Sequence, residues 1–159
     1  MNKLSFNEII KITIILFILF LLSFITFFQY DSNKKKKFTI ENHNKIYDII
    51  NKNFYQCGSN KVNNLEEKYI VNLDDFCNMD YKNKEFINLI NIYVNLFKNH
   101  KMCNIYKSNL KNKCYPAVST NNVENIVNGE TILSMVNNRF QIKTQISSTK
   151  NITDIIILD

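Results

Sequence analysis

The stretch ITIILFILFLLSFITFF, Ile12 to Phe28, decides the architecture of this chain. It holds 17 residues without a charge, fourteen of them Ile, Leu or Phe and the other three Thr13, Ser23 and Thr26. Gln29 and Tyr30 extend it to 19 residues, about 28 Å of helix at 1.5 Å per residue, close to the hydrocarbon thickness of a bilayer. Each Leu, Ile or Phe favours insertion by roughly 0.3 to 0.6 kcal/mol, so the run supplies about 4 to 8 kcal/mol. The three hydroxyls can bond to carbonyls one turn back and do not spoil it. A cleavable signal peptide has a shorter apolar core and ends in small residues. Here Phe27-Phe28-Gln29-Tyr30-Asp31 closes the run and the single alanine is Ala117. We therefore expect a short tail over 1–11 and an uncleaved transmembrane anchor over 12–30.

Outward from the anchor, the first feature is Lys34, Lys35, Lys36 and Lys37. These four account for most of the net charge of +6. Beside a membrane segment they are expected to contact lipid headgroups, at about 1 kcal/mol per Lys near an anionic surface. Nucleic-acid binding calls for clustered Arg and interleaved aromatics, and the chain has one arginine, Arg139. The 27 Asn, 24 Ile and 19 Lys are residues of A/T-rich codons, so the lysine excess itself reflects coding bias. The positive-inside rule places the more basic C-terminal flank in the cytosol. Segment 31–56 then continues as an amphipathic helix, because His43, Ile46, Tyr47, Ile50 and Phe54 recur at helical spacing.

Residues 57–159 hold all four cysteines, Cys57, Cys77, Cys103 and Cys114. An even number in a small domain reads as two disulfides with three possible pairings. Cys103 with Cys114 closes the shortest loop and leaves Cys57 with Cys77. Free buried thiols and a zinc site are the alternatives, but no tight C-x(2–4)-C pair supports zinc. The rest is α+β, with two or three helices and a C-terminal antiparallel hairpin or meander. Phe86, Leu89, Ile90, Tyr93, Leu96 and Phe97 mark a core-facing helix over about 83–98. Residues 69–77 suggest a short strand. Residues 131–136 and 139–146 predict a hairpin around Asn137-Asn138, with Phe140, Ile142, Thr144 and Ile146 on one face and Arg139, Gln141, Lys143 and Gln145 on the other. A last strand over 152–158 is too apolar for an exposed edge, so burial or docking on a partner is expected.

Chemistry finds few candidates. The two histidines, His43 and His100, sit on a juxtamembrane helix face and after a helix C-terminus, where structural or solvated roles are expected. Gly58 and Gly129 are isolated, so no phosphate-cradling loop is present. Asp74-Asp75 and Glu66-Glu67 are adjacent pairs whose side chains diverge on any regular element. We expect no enzyme activity, cofactor, metal or small-molecule substrate. One sequon, Asn151-Ile152-Thr153, stands near the C-terminus.

A short tail, one span and a small four-cysteine domain together resemble the small N-terminally anchored subunits of the poxvirus entry–fusion complex, in an A/T-rich, insect-poxvirus version. The resemblance lies in architecture, not in a motif. It implies a virion membrane protein that partners other membrane subunits in membrane fusion. It also implies disulfides made on the cytosolic side, which reconciles Lys34–Lys37 with paired cysteines. The alternative is a surface or secretory-pathway binding or adhesion protein of an A/T-rich protozoan parasite.

Overall fold

The computed structural model describes residues 6–58, 69, 71, 85–107, 113–120, 126–136 and 139–157. The chain divides into two compact units, Met1–Lys35 and Lys36–Asp159. Helix α1, Phe6–Gly58, runs 53 residues across that division without a break. The expected anchor and amphipathic helix are therefore one element. No proline or glycine interrupts the stretch, and the four lysines are good helix formers, so nothing in it terminates a helix.

In the first unit the apolar window is wholly unburied. Thr13 Oγ1 donates to the Ile9 carbonyl at 2.9 Å and Ser23 Oγ to that of Leu19 at 2.8 Å. Thr26 Oγ1 does the same to Leu22 at 3.1 Å. Each hydroxyl is thus satisfied within the helix. Phe20, Phe24 and Phe28 contact one another at four-residue spacing, with ring centroids 6.3 and 4.5 Å apart.

The second unit packs the C-terminal part of α1 and helix α2, Glu85–Asn99, against a four-stranded sheet. The sheet comprises β1 (Val118–Ser119), β2 (Thr131–Val136), β3 (Arg139–Ser147) and β4 (Lys150–Ile157), in that order. The helical stripes do what their spacing predicts. Ile46 and Ile50 of α1 and Leu89, Tyr93 and Phe97 of α2 are fully buried. They meet the inward face of β3, where the Phe140 ring lies 5.7 Å from Phe54 and 6.1 Å from Tyr93. The hairpin register pairs Val136 with Arg139 and Met135 with Phe140, as the two-residue Asn137-Asn138 loop demands.

Helix α2 ends in a Schellman motif: Met102 N–H donates to the Phe97 carbonyl and Lys101 N–H to that of Lys98. Lys101 takes the left-handed conformation, φ 51°, and buried Met102 lies over buried Phe97. The chain then extends, with Cys103 bridged to Pro116, and Cys114 is joined to Cys103 by a disulfide with a Cα–Cα distance of 5.1 Å. This is the short-loop pairing. Cys57 lies at the end of α1; Cys77, and with it the second pairing, falls outside the described residues. Replacing Cys103 and Cys114 together by serine is expected to cost roughly 3 kcal/mol, because an 11-residue closure is released in the unfolded chain. Denaturant titration of oxidised wild type against the variant measures it, and an unchanged midpoint would contradict it.

One feature departs from the antiparallel meander expected. β1 runs parallel to β2, pairing Val118 with Thr131, so the sheet is mixed. Of the strand expected over 69–77, only Tyr69 and Val71 are described, and neither belongs to a strand. Instead, buried Asn53 of α1 donates to the Tyr69 carbonyl at 3.1 Å and accepts the Val71 N–H.

Candidate functional site

The densest polar cluster in the described residues lies inside the second unit. α1 is continuous through residue 43, so its apolar stripe carries His43 into the core, where the side chain is 0% exposed. Opposite it, three polar residues occupy inward positions of the sheet: Thr131, Thr144 and Asp154. Register explains their convergence, since Thr131 pairs with Thr144 and Asp154 with Ile142, one inward step away. His43 Nδ1 lies 2.7 Å from Thr144 Oγ1, and Nε2 lies 2.8 Å from Asp154 Oδ2. Thr144 Oγ1 lies 2.7 Å from Thr131 Oγ1.

Donor and acceptor roles follow from the chemistry. An ionised carboxylate only accepts, so His43 Nε2–H donates to Asp154. In the neutral ring Nδ1 then accepts the Thr144 hydroxyl proton, and Thr144 accepts from Thr131. Every polar atom of the imidazole is thereby occupied, as burial demands.

Carboxylate, imidazole and hydroxyl stand in the order used for nucleophilic catalysis. Thr144, however, is buried and its oxygen is shared with Thr131, so the hydroxyl has no approach for a substrate. What the arrangement does is cross-link three elements: α1 through His43, β3 through Thr144 and β4 through Asp154. Buried Asn104 makes a second such tie, donating to the Asn128 carbonyl and accepting Tyr106 N–H. Its side chain fills the space where Gly129, at φ +79°, would carry a Cβ. No family model, characterised protein or solved structure matches this chain. The site is therefore read from its own atoms.

The sites expected from sequence fall elsewhere. Lys34 to Lys37 occupy consecutive positions on α1, so at 100° per residue they ring the helix instead of forming one stripe. Lys35 bonds Asp31 at 2.7 Å and Lys37 reaches Glu41 at 4.0 Å. Neither pair contains any of the cysteines, and none of these residues joins the His43 cluster. His100 lies past α2, its ring 5.0 Å from that of Tyr69.

His43, expected to be structural or solvated, is structural, and its partners Thr131, Thr144 and Asp154 do not follow from spacing along the chain. A signal existed. Thr144 interrupts the inward apolar series Phe140, Ile142, Ile146, and His43 stands in the apolar stripe of α1. Two polar residues at core-facing positions of different elements call for one another.

Proposed function

We propose that this protein is a single-pass membrane-anchored subunit of a membrane-protein complex, acting through binding and not through catalysis. The observation that carries the reading is the apolar window of α1, none of which is covered by the described residues. Phe17, Phe20 and Phe27 are 61–67% exposed, as are many of their Ile and Leu neighbours to a similar degree. In water such a surface would be strongly unfavourable at about 25 cal/mol per Å²; in hydrocarbon it costs nothing. Lys34, with no ion pair among the described residues, and half-buried Lys36 follow the apolar run directly, and the reading assigns them to lipid headgroups. The architectural resemblance makes a virion membrane and a fusion complex the setting of this proposal.

One observation favours the second reading, a parasite surface or secretory protein. Asn151 of the sequon is exposed on β4, where a glycan could be accommodated. Gel mobility before and after enzymatic glycan removal separates the two. No shift is expected if the second unit stays on the cytosolic side during assembly. A downward shift places it in the secretory lumen and favours the alternative.

A further inference from the structure

The outward-facing residues of β3, Arg139, Gln141, Lys143 and Gln145, floor two hollows on the sheet face opposite the core. The larger, of about 620 Å³, is walled by Tyr106, Lys107 and Val127 over Lys143 and Gln145. The smaller, of about 240 Å³, lies between Val136, Arg139, Gln141 and Ile155. Apolar surface borders it: Val136, Ile155 and Ile157 are 42%, 47% and 62% exposed, and Ile157 pairs directly with Arg139.

Among the described residues the free charge on this face is one-sided. Among the described residues Arg139 and Lys143 have no ion-pair partner. The neighbouring carboxylate, Glu130, is buried and already accepts from Ser119 Oγ at 2.7 Å and from Val127 N–H, with Lys107 3.8 Å away. Asp154 points to the other side of the sheet, to His43. A second copy would bring the same cations and be repelled. Arg139 and Lys143 stand four residues apart on one strand, about 13 Å at 3.3 Å per residue. An extended chain with carboxylates at i and i+4 has the same spacing, and its residue i+2 would fall over the notch between them. Concave hollows in line along one strand suit such a segment better than a flat bilayer surface.

We propose that this face docks an extended acidic–apolar segment of a partner protein. Its carboxylates meet Arg139 and Lys143, and an apolar side chain between them enters the notch beside Val136 and Ile155. The proposal names the partner chemistry of the complex-subunit reading and rests on it.

The test uses the full chain in neutral detergent and a fluorescent peptide with Glu at i and i+4, Val at i+2 and Ser elsewhere. The acidic peptide is expected to bind, to weaken as salt rises, and to outbind its Lys-substituted counterpart. An Arg139→Glu/Lys143→Glu double variant should bind at least tenfold more weakly, Arg139→Gln/Lys143→Gln should fall between, and Lys98→Glu should match wild type. Thermal unfolding of each variant establishes that the fold is intact. Unchanged binding by the folded double variant, equal binding of the Lys peptide, or no binding of the acidic peptide below about 1 mM overturns the proposal. It is also overturned if phosphatidylserine-doped micelles displace the peptide, which would make this a lipid face. Sedimentation showing a wild-type dimer that the double variant loses would assign the face to a second copy and overturn it too. Carbonate extraction reads the anchor separately, so failure of the anchored-subunit reading and failure of this proposal give different results.

Discussion

His43→Ala is expected to lower the unfolding free energy of the second unit by about 4 kcal/mol. Two losses add. Removing the ring leaves an imidazole-sized cavity at a fully buried position. It also takes the acceptor from the Thr144 hydroxyl proton and the Nε2–H donor from Asp154. Graded variants separate these terms. Thr144→Val keeps the shape but deprives Nδ1 and Thr131 of a partner, for about 2 kcal/mol. Asp154→Asn keeps an acceptor oxygen for Nε2–H, and with Asp154 partly exposed should cost less than about 1 kcal/mol. The chain has no Trp, so near-ultraviolet tyrosine dichroism in a denaturant series is the suitable readout. If His43→Ala and Thr144→Val both leave the midpoint in place, the cross-link does not hold the helix to the sheet.

A Leu19→Arg/Leu22→Arg double variant is expected to move the protein from the alkaline-carbonate pellet to the supernatant. Each arginine near the centre of a span costs roughly 2.5 to 3.5 kcal/mol, so the pair opposes the run by about 5 to 7 kcal/mol. That matches the whole gain of about 4 to 8 kcal/mol from its Ile, Leu and Phe residues. Leu19→Ala/Leu22→Ala, which shortens side chains without adding charge, should remain in the pellet. Wild type recovered in the supernatant, or the arginine variant retained in the pellet, would remove the anchor from the account of this protein.

Much of the second unit was legible because its periodicities are clean. Leu89, Tyr93 and Phe97 repeat every four residues while Ile87 and Ile92, off that spacing, are exposed, and α2 forms within two residues of its expected start. From Phe140 to Ile146 every outward position is polar and every inward one but Thr144 is apolar, which fixes which face of β3 is inside. Three consecutive isoleucines, by contrast, carry no period. Residues 155–157 could face either way on β4, and the expectation of burial held for Ile156 alone. The site was the least legible part. His43, Thr144 and Asp154 are separated by 101 and 111 positions from His43 onward, and no local pattern links them.

The sequence by itself determined a helix over 12–28, where fourteen of seventeen residues are large and apolar and no proline or glycine interrupts. It also determined the hairpin, whose two-residue loop admits one register. Tertiary structure decided everything that depends on which segments meet. Pairing with β3 sets Ile156 opposite Phe140 and so turns Ile155 and Ile157 outward. The return of the chain beside β1 makes that pair parallel, and the Cys103–Pro116 bridge brings Cys114 to its partner. The core site exists for the same reason. A buried imidazole needs a carboxylate and a hydroxyl at about 2.8 Å, and only the packed sheet delivers both to one helix face.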